Sequence, residues 1–327
     1  MKVIHFRYLG VSGFVTLLLA ACGGGGGSDS EVVVPPPVAV VITANNYAVV
    51  SSDSLNAAAF GGELGDLTGT GILGGPASPG MMSKLDRLPG VGMGKVYGQV
   101  SEATIGPITE DCIIGGTVTL TVTVADPNTV TAGDSISMSF SMCDDGDGQV
   151  LDGDMDMVFT GFSGDLNSGL YLISVSVTLG SLSMDDGGLA AVVDGAFDMT
   201  TDTRAYPVTT STVSGDLLTL QAEGRSLTMK TFSTTTVFDG GAMSFSVTAE
   251  GIVASSRFDG EATYETIVPF TGNTGNPYEG ELLITGADGA TITVIALDEV
   301  NVRLIMDYDG DGAEDDSIDL TWEEAVG

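Results

Sequence analysis

Asp307, Asp309 and Asp311 alternate with Tyr308 and Gly310, and Gly312, Ala313, Glu314, Asp315 and Asp316 follow directly. Carboxylates at i, i+2 and i+4 with glycine at i+5 suit a hard cation. Calcium takes six to eight oxygens, and alternate positions on a tight turn can aim several of them at one point. A second acidic run, Asp144, Asp145, Asp147, Asp152, Asp154 and Asp156, follows Cys143. Its Asp145-Gly146-Asp147-Gly148 stretch reads first as a hairpin turn, because Asp-Gly pairs favour tight turns. The chain has three cysteines. Cys22 lies beside an apolar leader, which leaves Cys112 and Cys143 as an even pair; in an exported chain such a pair reads as a disulfide.

The leader begins with a basic stretch of Lys2, His5 and Arg7, and an apolar run extends from Leu9 to Ala21. That run is shorter than the roughly 20 residues a spanning helix needs. Leu19-Ala20-Ala21-Cys22, followed by Gly23 to Gly27, resembles the lipobox of bacterial lipoproteins. The resemblance implies cleavage after Ala21 and acylation of Cys22, which anchors the mature chain in a membrane through acyl chains. With Gly23, not aspartate, after the cysteine, it favours the outer membrane. Beyond the leader, the body is similar to acidic, glycine-rich outer-membrane lipoproteins of proteobacteria and to no named family.

The acidic loop carries a second resemblance. Asp307 to Gly312 is similar to the first half of an EF-hand or thrombospondin-type calcium loop. Carried over by position, Asp307, Asp309 and Asp311 would be ligands, Ala313 a carbonyl ligand and Asp315 a direct or water-mediated one. The twelfth position is Ile318, where an EF-hand places a bidentate acid. That departure argues for weak binding, in the range of roughly 10⁻⁴–10⁻³ M. Asp316 or Asp319 could substitute.

These residues need elements to hold them. Residues 1–21 form the leader, and 22–44 form a Gly- and Pro-rich tether that cannot pack a core. Residues 45–94 divide into a short helix over 45–60, capped by Asn45 or Asn46, and an irregular glycine-rich segment. From 95 to 327 the pattern is strand-like. Thr117–Val124 and Ser135–Met142 alternate polar with apolar residues throughout, the mark of half-buried strands. Pairing them as a hairpin puts Cys143 near Gly116 and lets Gly115-Gly116 bend Cys112 inward. Further alternating segments are Leu151–Thr160, Leu170–Leu179, Ala190–Thr200, Val208–Val213, Leu217–Ala222 and Ser226–Phe238. The series continues through Met243–Ser255, Phe258–Pro269, Glu281–Thr285, Thr291–Leu297 and Val300–Tyr308, and Tyr97–Ala103 precedes it. Asp152-Gly153, Asp194-Gly195 and Asp259-Gly260 echo one another without a fixed period, as turns or bulges do. The expected fold is mainly β, a long antiparallel meander forming a curved sheet, sandwich or barrel, with a short N-terminal helix.

Composition limits function. The chain holds 10 basic and 44 acidic residues, for a net charge of −34. Losing residues 1–21 removes Lys2, Arg7 and the only histidine, leaving 8 basic against 44 acidic residues and a charge of −36. Nucleic acid is excluded as a partner, since phosphate binding runs on Lys and Arg. Without histidine, Ser-His-Asp and Cys-His nucleophilic systems and histidine-based zinc sites cannot be built. No phosphate-binding or dinucleotide fingerprint occurs, and no catalytic residues are assigned. The sequence therefore points to a lipid-anchored outer-membrane lipoprotein whose acidic β domain serves envelope structure or binding, with calcium as its cofactor. Two alternatives differ in class: a carrier or sensor of an apolar ligand held on a curved sheet, and a carboxylate-dependent glycan-active enzyme.

Overall fold

The computed structural model describes residues 38–65, 103–126, 130–144, 146, 150–165, 168–185, 190–222, 224–273 and 275–327. The leader, Cys22 and most of the tether lie outside these residues, as do Tyr97–Glu102 of the first expected strand and nearly all of the Asp145–Gly148 turn.

Helix α1 (Tyr47–Gly65) comes first. It is followed by β1 (Ala103–Asp111), β2 (Gly115–Val124), β3 (Ser135–Asp144), β4 (Val150–Asp165) and β5 (Leu170–Asp185). Next come β6 (Ala190–Asp202), β7 (Val208–Ala222), β8 (Arg225–Asp239), β9 (Ser244–Ser255) and β10 (Glu261–Gly272). β11 (Glu279–Thr285), β12 (Thr291–Ala296), β13 (Asn301–Asp307), β14 (Asp316–Thr321) and helix α2 (Trp322–Val326) complete the chain. Every strand pairs antiparallel with its sequence neighbours, giving one 14-stranded sheet in the order β1 to β14. β1 and β14 are not paired with each other, so the expected meander is an open sheet and not a closed barrel.

Strand alternation decides which face becomes core. On β2 and β3, Val118, Leu120, Val122, Ile136, Met138 and Phe140 are buried, while the Thr and Ser residues between them face outward. On that outer face hydroxyls meet across strands, as in Thr109–Thr119 at 2.9 Å and Thr212–Thr235 at 3.1 Å. Such cross-strand pairs each contribute a fraction of a kcal/mol, roughly 0.2–1.

The Asp-Gly echo has a physical basis: in two of its copies it marks bulges within the sheet. Met142 on β3 and Ser181 on β5 are bulged residues with positive φ, 48° and 49°. The following strand supplies an aspartate to each. Asp152 accepts from the Met142 amide at 3.1 Å, and Asp194 from the Ser181 amide at 3.0 Å. The glycine after Asp152 serves the next bulge: Gly153 has φ +117°, and a Cβ there would lie 2.6 Å from the Ser181 carbonyl oxygen. Asp152 thus holds one bulge while Gly153 makes room for another. Asp259-Gly260, by contrast, lies in the turn β9–β10.

β7 corrects the sequence reading. Val208–Val213 and Leu217–Ala222 are one 15-residue strand, with Ser214-Gly215-Asp216 carried inside it at a register shift against β6. β14, an acidic segment without clear alternation, was not expected as a strand.

The helix is longer than expected, 19 residues, and packs against β7, β8, β9, β10, β12 and α2. Residues 50–55 are all buried, so α1 is enclosed around its circumference there. Asn46 does not use its side chain on a helix amide: its Oδ1 accepts from the Thr43 amide at 2.8 Å, and its Nδ2 donates to the Val41 carbonyl. The incoming segment is stitched into the sheet at Ala39, which bridges Glu261, with Val40 and Ile42 buried. Cys112 and Cys143 lie at disulfide-bonding distance, their Cα atoms 5.5 Å apart, where β2 and β3 begin and end.

Candidate metal centre

β13 and β14 pair from Asn301–Thr321 to Met306–Asp316, and the connection between them is the acidic loop. The Asp315 amide donates to the Met306 carbonyl at 2.9 Å and closes its base. Within the loop each carboxylate is tied to the backbone. Asp307 accepts from the Gly310 amide through Oδ1 (2.7 Å) and from the Gly312 amide through Oδ2 (2.8 Å). Asp315 accepts from the Tyr308 amide at 2.7 Å, and Asp309 from the Asp311 amide at 3.1 Å. Short polar side chains that bond backbone a few residues on are how such turns hold their shape.

Two glycines make the path possible. Gly312, at φ +84°, has open space around it, so its role is conformational. Gly310, at φ +73°, is also crowded: a Cβ there would sit 2.4 Å from the Asp288 carbonyl oxygen in the 3-10 turn Ala287–Gly289. The loop therefore leans on the turn that precedes β12.

One oxygen from each of Asp307, Asp309 and Asp315 lies within 4.8 Å of the others. Calcium–oxygen distances of 2.3–2.6 Å place opposing ligands roughly 5 Å apart across an ion, so the three converge at a spacing calcium can bridge. Asp307 is only 8% exposed, whereas Asp309 and Asp315 are open to solvent. Each carboxylate retains unused lone pairs beyond the amides it accepts from. Asp311 lies outside the trio; its carboxylate accepts from the Ala313 amide at 2.8 Å. Ile318 is within β14 opposite Leu304, so strands, not helices, flank the loop. Asp319 is held by Arg303, at 2.6 and 2.9 Å, on the same strand pair. Beside the loop, burial and the nearby Asp316, Tyr47 and Asp315 push the Tyr308 phenol above its usual range.

Among the described residues no helix is long and apolar enough to cross a membrane. Comparison with known protein families, curated proteins and solved structures returns no match to this chain.

Proposed function

We propose that this chain is a lipid-anchored lipoprotein of the outer membrane, and that its acidic β-sheet module serves envelope structure or binding without catalysis. Cys22 carries the anchor, and calcium held by Asp307, Asp309 and Asp315 steadies the C-terminal strand pair. The convergence of those three carboxylates is the observation that carries the calcium assignment. Against a carrier holding an apolar ligand on the sheet, α1 already occupies the buried face of β7 to β10. Anchoring requires more than one acyl chain for stable attachment, which the lipoprotein modification supplies.

The test is expression of the full chain in a Gram-negative host fed a clickable fatty acid. Label should enter the chain and the protein should fractionate with outer membrane. Cys22→Ala should abolish label and release the chain. An unlabelled wild-type chain, or a Cys22→Ala variant that still sediments with membrane, would overturn the anchor.

A further inference from the structure

Cations are scarce in this molecule, and nearly all those among the described residues are committed. Five basic side chains fall among the described residues. Four make ion pairs: Arg204 with Asp202, Lys230 with Glu261, Arg257 with Asp53, and Arg303 with Asp319. Arg225, the first residue of β8, has no ion pair and no side-chain hydrogen bond among the described residues.

Arg225 lines a cleft of about 290 Å³ between α1 and the ends of β7, β8 and β9. Arg257 lines the same cleft. Its Nε donates to both oxygens of Asp53 at 3.0 Å, and its Nη2 donates to Ser52 and Asp53. The Nη1 group has no partner among the described residues. Asp53, Arg257 and Arg225 are the charged side chains of the lining, and of these Asp53 is paired with Arg257. Phe60, Leu220, Leu227 and Val326 supply apolar wall. At about 30 Å³ per water-sized group, the cleft has room for roughly ten heavy atoms.

We propose that this cleft binds a medium-chain fatty acid, its carboxylate on Arg225 and the open Nη1 of Arg257, its chain against Phe60, Leu220 and Leu227. A guanidinium matches a carboxylate with paired, charge-assisted hydrogen bonds. Specific sites combine an apolar wall with few convergent polar groups, and this cleft has that make-up. Asp53 does not compete, because Arg257 already neutralises it. A cationic or neutral amphiphile would leave Arg225 unpaired beside the apolar wall.

The experiment titrates the purified full chain with carboxyl-¹³C octanoate by NMR, with octanol and octylammonium as parallel probes. Octanoate should bind at least tenfold tighter than either probe. Arg225→Gln should weaken octanoate tenfold or more with the melting temperature unchanged, since the exposed Arg225 side chain makes no ion pair or hydrogen bond among the described residues. Arg225→Lys should recover part of the loss, and Arg204→Gln should change nothing. Absence of octanoate binding at millimolar concentration, equal binding of octanol, or an unaltered affinity in Arg225→Gln would each overturn the assignment. None of these outcomes depends on Cys22 or on calcium.

Discussion

Asp53 is 6% exposed on a helix that is enclosed at that level, and its carboxylate is met by Arg257 from the β9–β10 turn, 204 residues away. Removing one member of a buried pair leaves the other charged and unpartnered, which costs about 3–5 kcal/mol where both are fully buried. Arg257 is 23% exposed at its side chain, so Arg257→Gln should cost nearer 2–3 kcal/mol. A shift in the urea midpoint with unchanged slope checks this; a loss below about 0.5 kcal/mol would show the pair to be solvent-screened. Tyr264 behaves oppositely. It is 2% exposed, its hydroxyl has no hydrogen-bond partner among the described residues, and burial, with Glu250 nearby, raises its pKa. A buried unsatisfied hydroxyl is a penalty of about 1–3 kcal/mol in the folded state, so Tyr264→Phe should be neutral or stabilising. Destabilisation by more than about 1 kcal/mol would mean that the hydroxyl has a partner. Neither residue was singled out in the sequence. A pair separated by 204 positions has no local signature, whereas Asp307, Asp309 and Asp315 sit in one loop whose spacing is visible in the chain. The place of Asp311 was not visible, because the Asp311–Ala313 bond depends on how the loop turns.

Elements whose polar and apolar residues alternate were legible for the same reason that they are stable. β2 and β3 each bury one face, and a period of two shows it directly. β7 read as two strands because Ser214-Gly215-Asp216 looks like a turn; a bulge uses the same residues, and only pairing with β6 and β8 distinguishes them. The helix was visible but its length was not, since Ser51, Ser52, Asp53 and Ser54 are polar yet buried, so residue type does not mark an outward face there. The pair Cys112–Cys143 closes a separation of 31 residues. By the chain-entropy account a closure of that length is worth about 3–4 kcal/mol, so Cys112→Ser with Cys143→Ser should lose that much in denaturant titration. A loss under about 1 kcal/mol would mean that the staple does little. Acid should act first at the other edge. Asn301 holds the Asp298 carboxyl below its usual range, Arg303 does the same for Asp319, and the Thr321 amide and hydroxyl for Glu324. Each folded pKa is depressed, so each contribution is fully present above the ordinary carboxylate range near 4 and is lost as pH falls below that range through the lowered folded value. Asp298 and Glu324 flank Trp322, whose indole donates to the Pro277 and Asp298 carbonyls and which begins the helix that Glu324 helps to cap. Trp322 is the only tryptophan. Its emission should therefore shift red as pH falls below about 4 while far-ultraviolet circular dichroism still reports an intact sheet. Simultaneous loss of both signals would show that the β14–α2 edge has no acid lability of its own.

At the scale of the whole molecule, a net charge of −34 means that any cation stabilises the folded state to some degree by relieving self-repulsion. A rise in melting temperature with calcium is thus ambiguous by itself, and the loop must be separated from the field. Sodium chloride screens the field: the Debye length falls from about 10 Å at 0.1 M to about 3 Å at 1 M. Measured in 1 M sodium chloride, any remaining calcium effect belongs to direct coordination. With a dissociation constant of about 10⁻⁴–10⁻³ M, 10 mM free calcium should add about 1.4–2.7 kcal/mol, a shift of roughly 2–5 °C for a domain of this size. Asp307→Asn should remove that increment while leaving the sodium-dependent rise intact, because it takes away one charge of 44 acidic residues but the most buried corner of the trio. Asp185→Asn, at the end of β5, should preserve both. If the calcium increment vanishes in 1 M salt, or survives Asp307→Asn, the loop is an acidic turn and the cation effect is that of the whole charged surface.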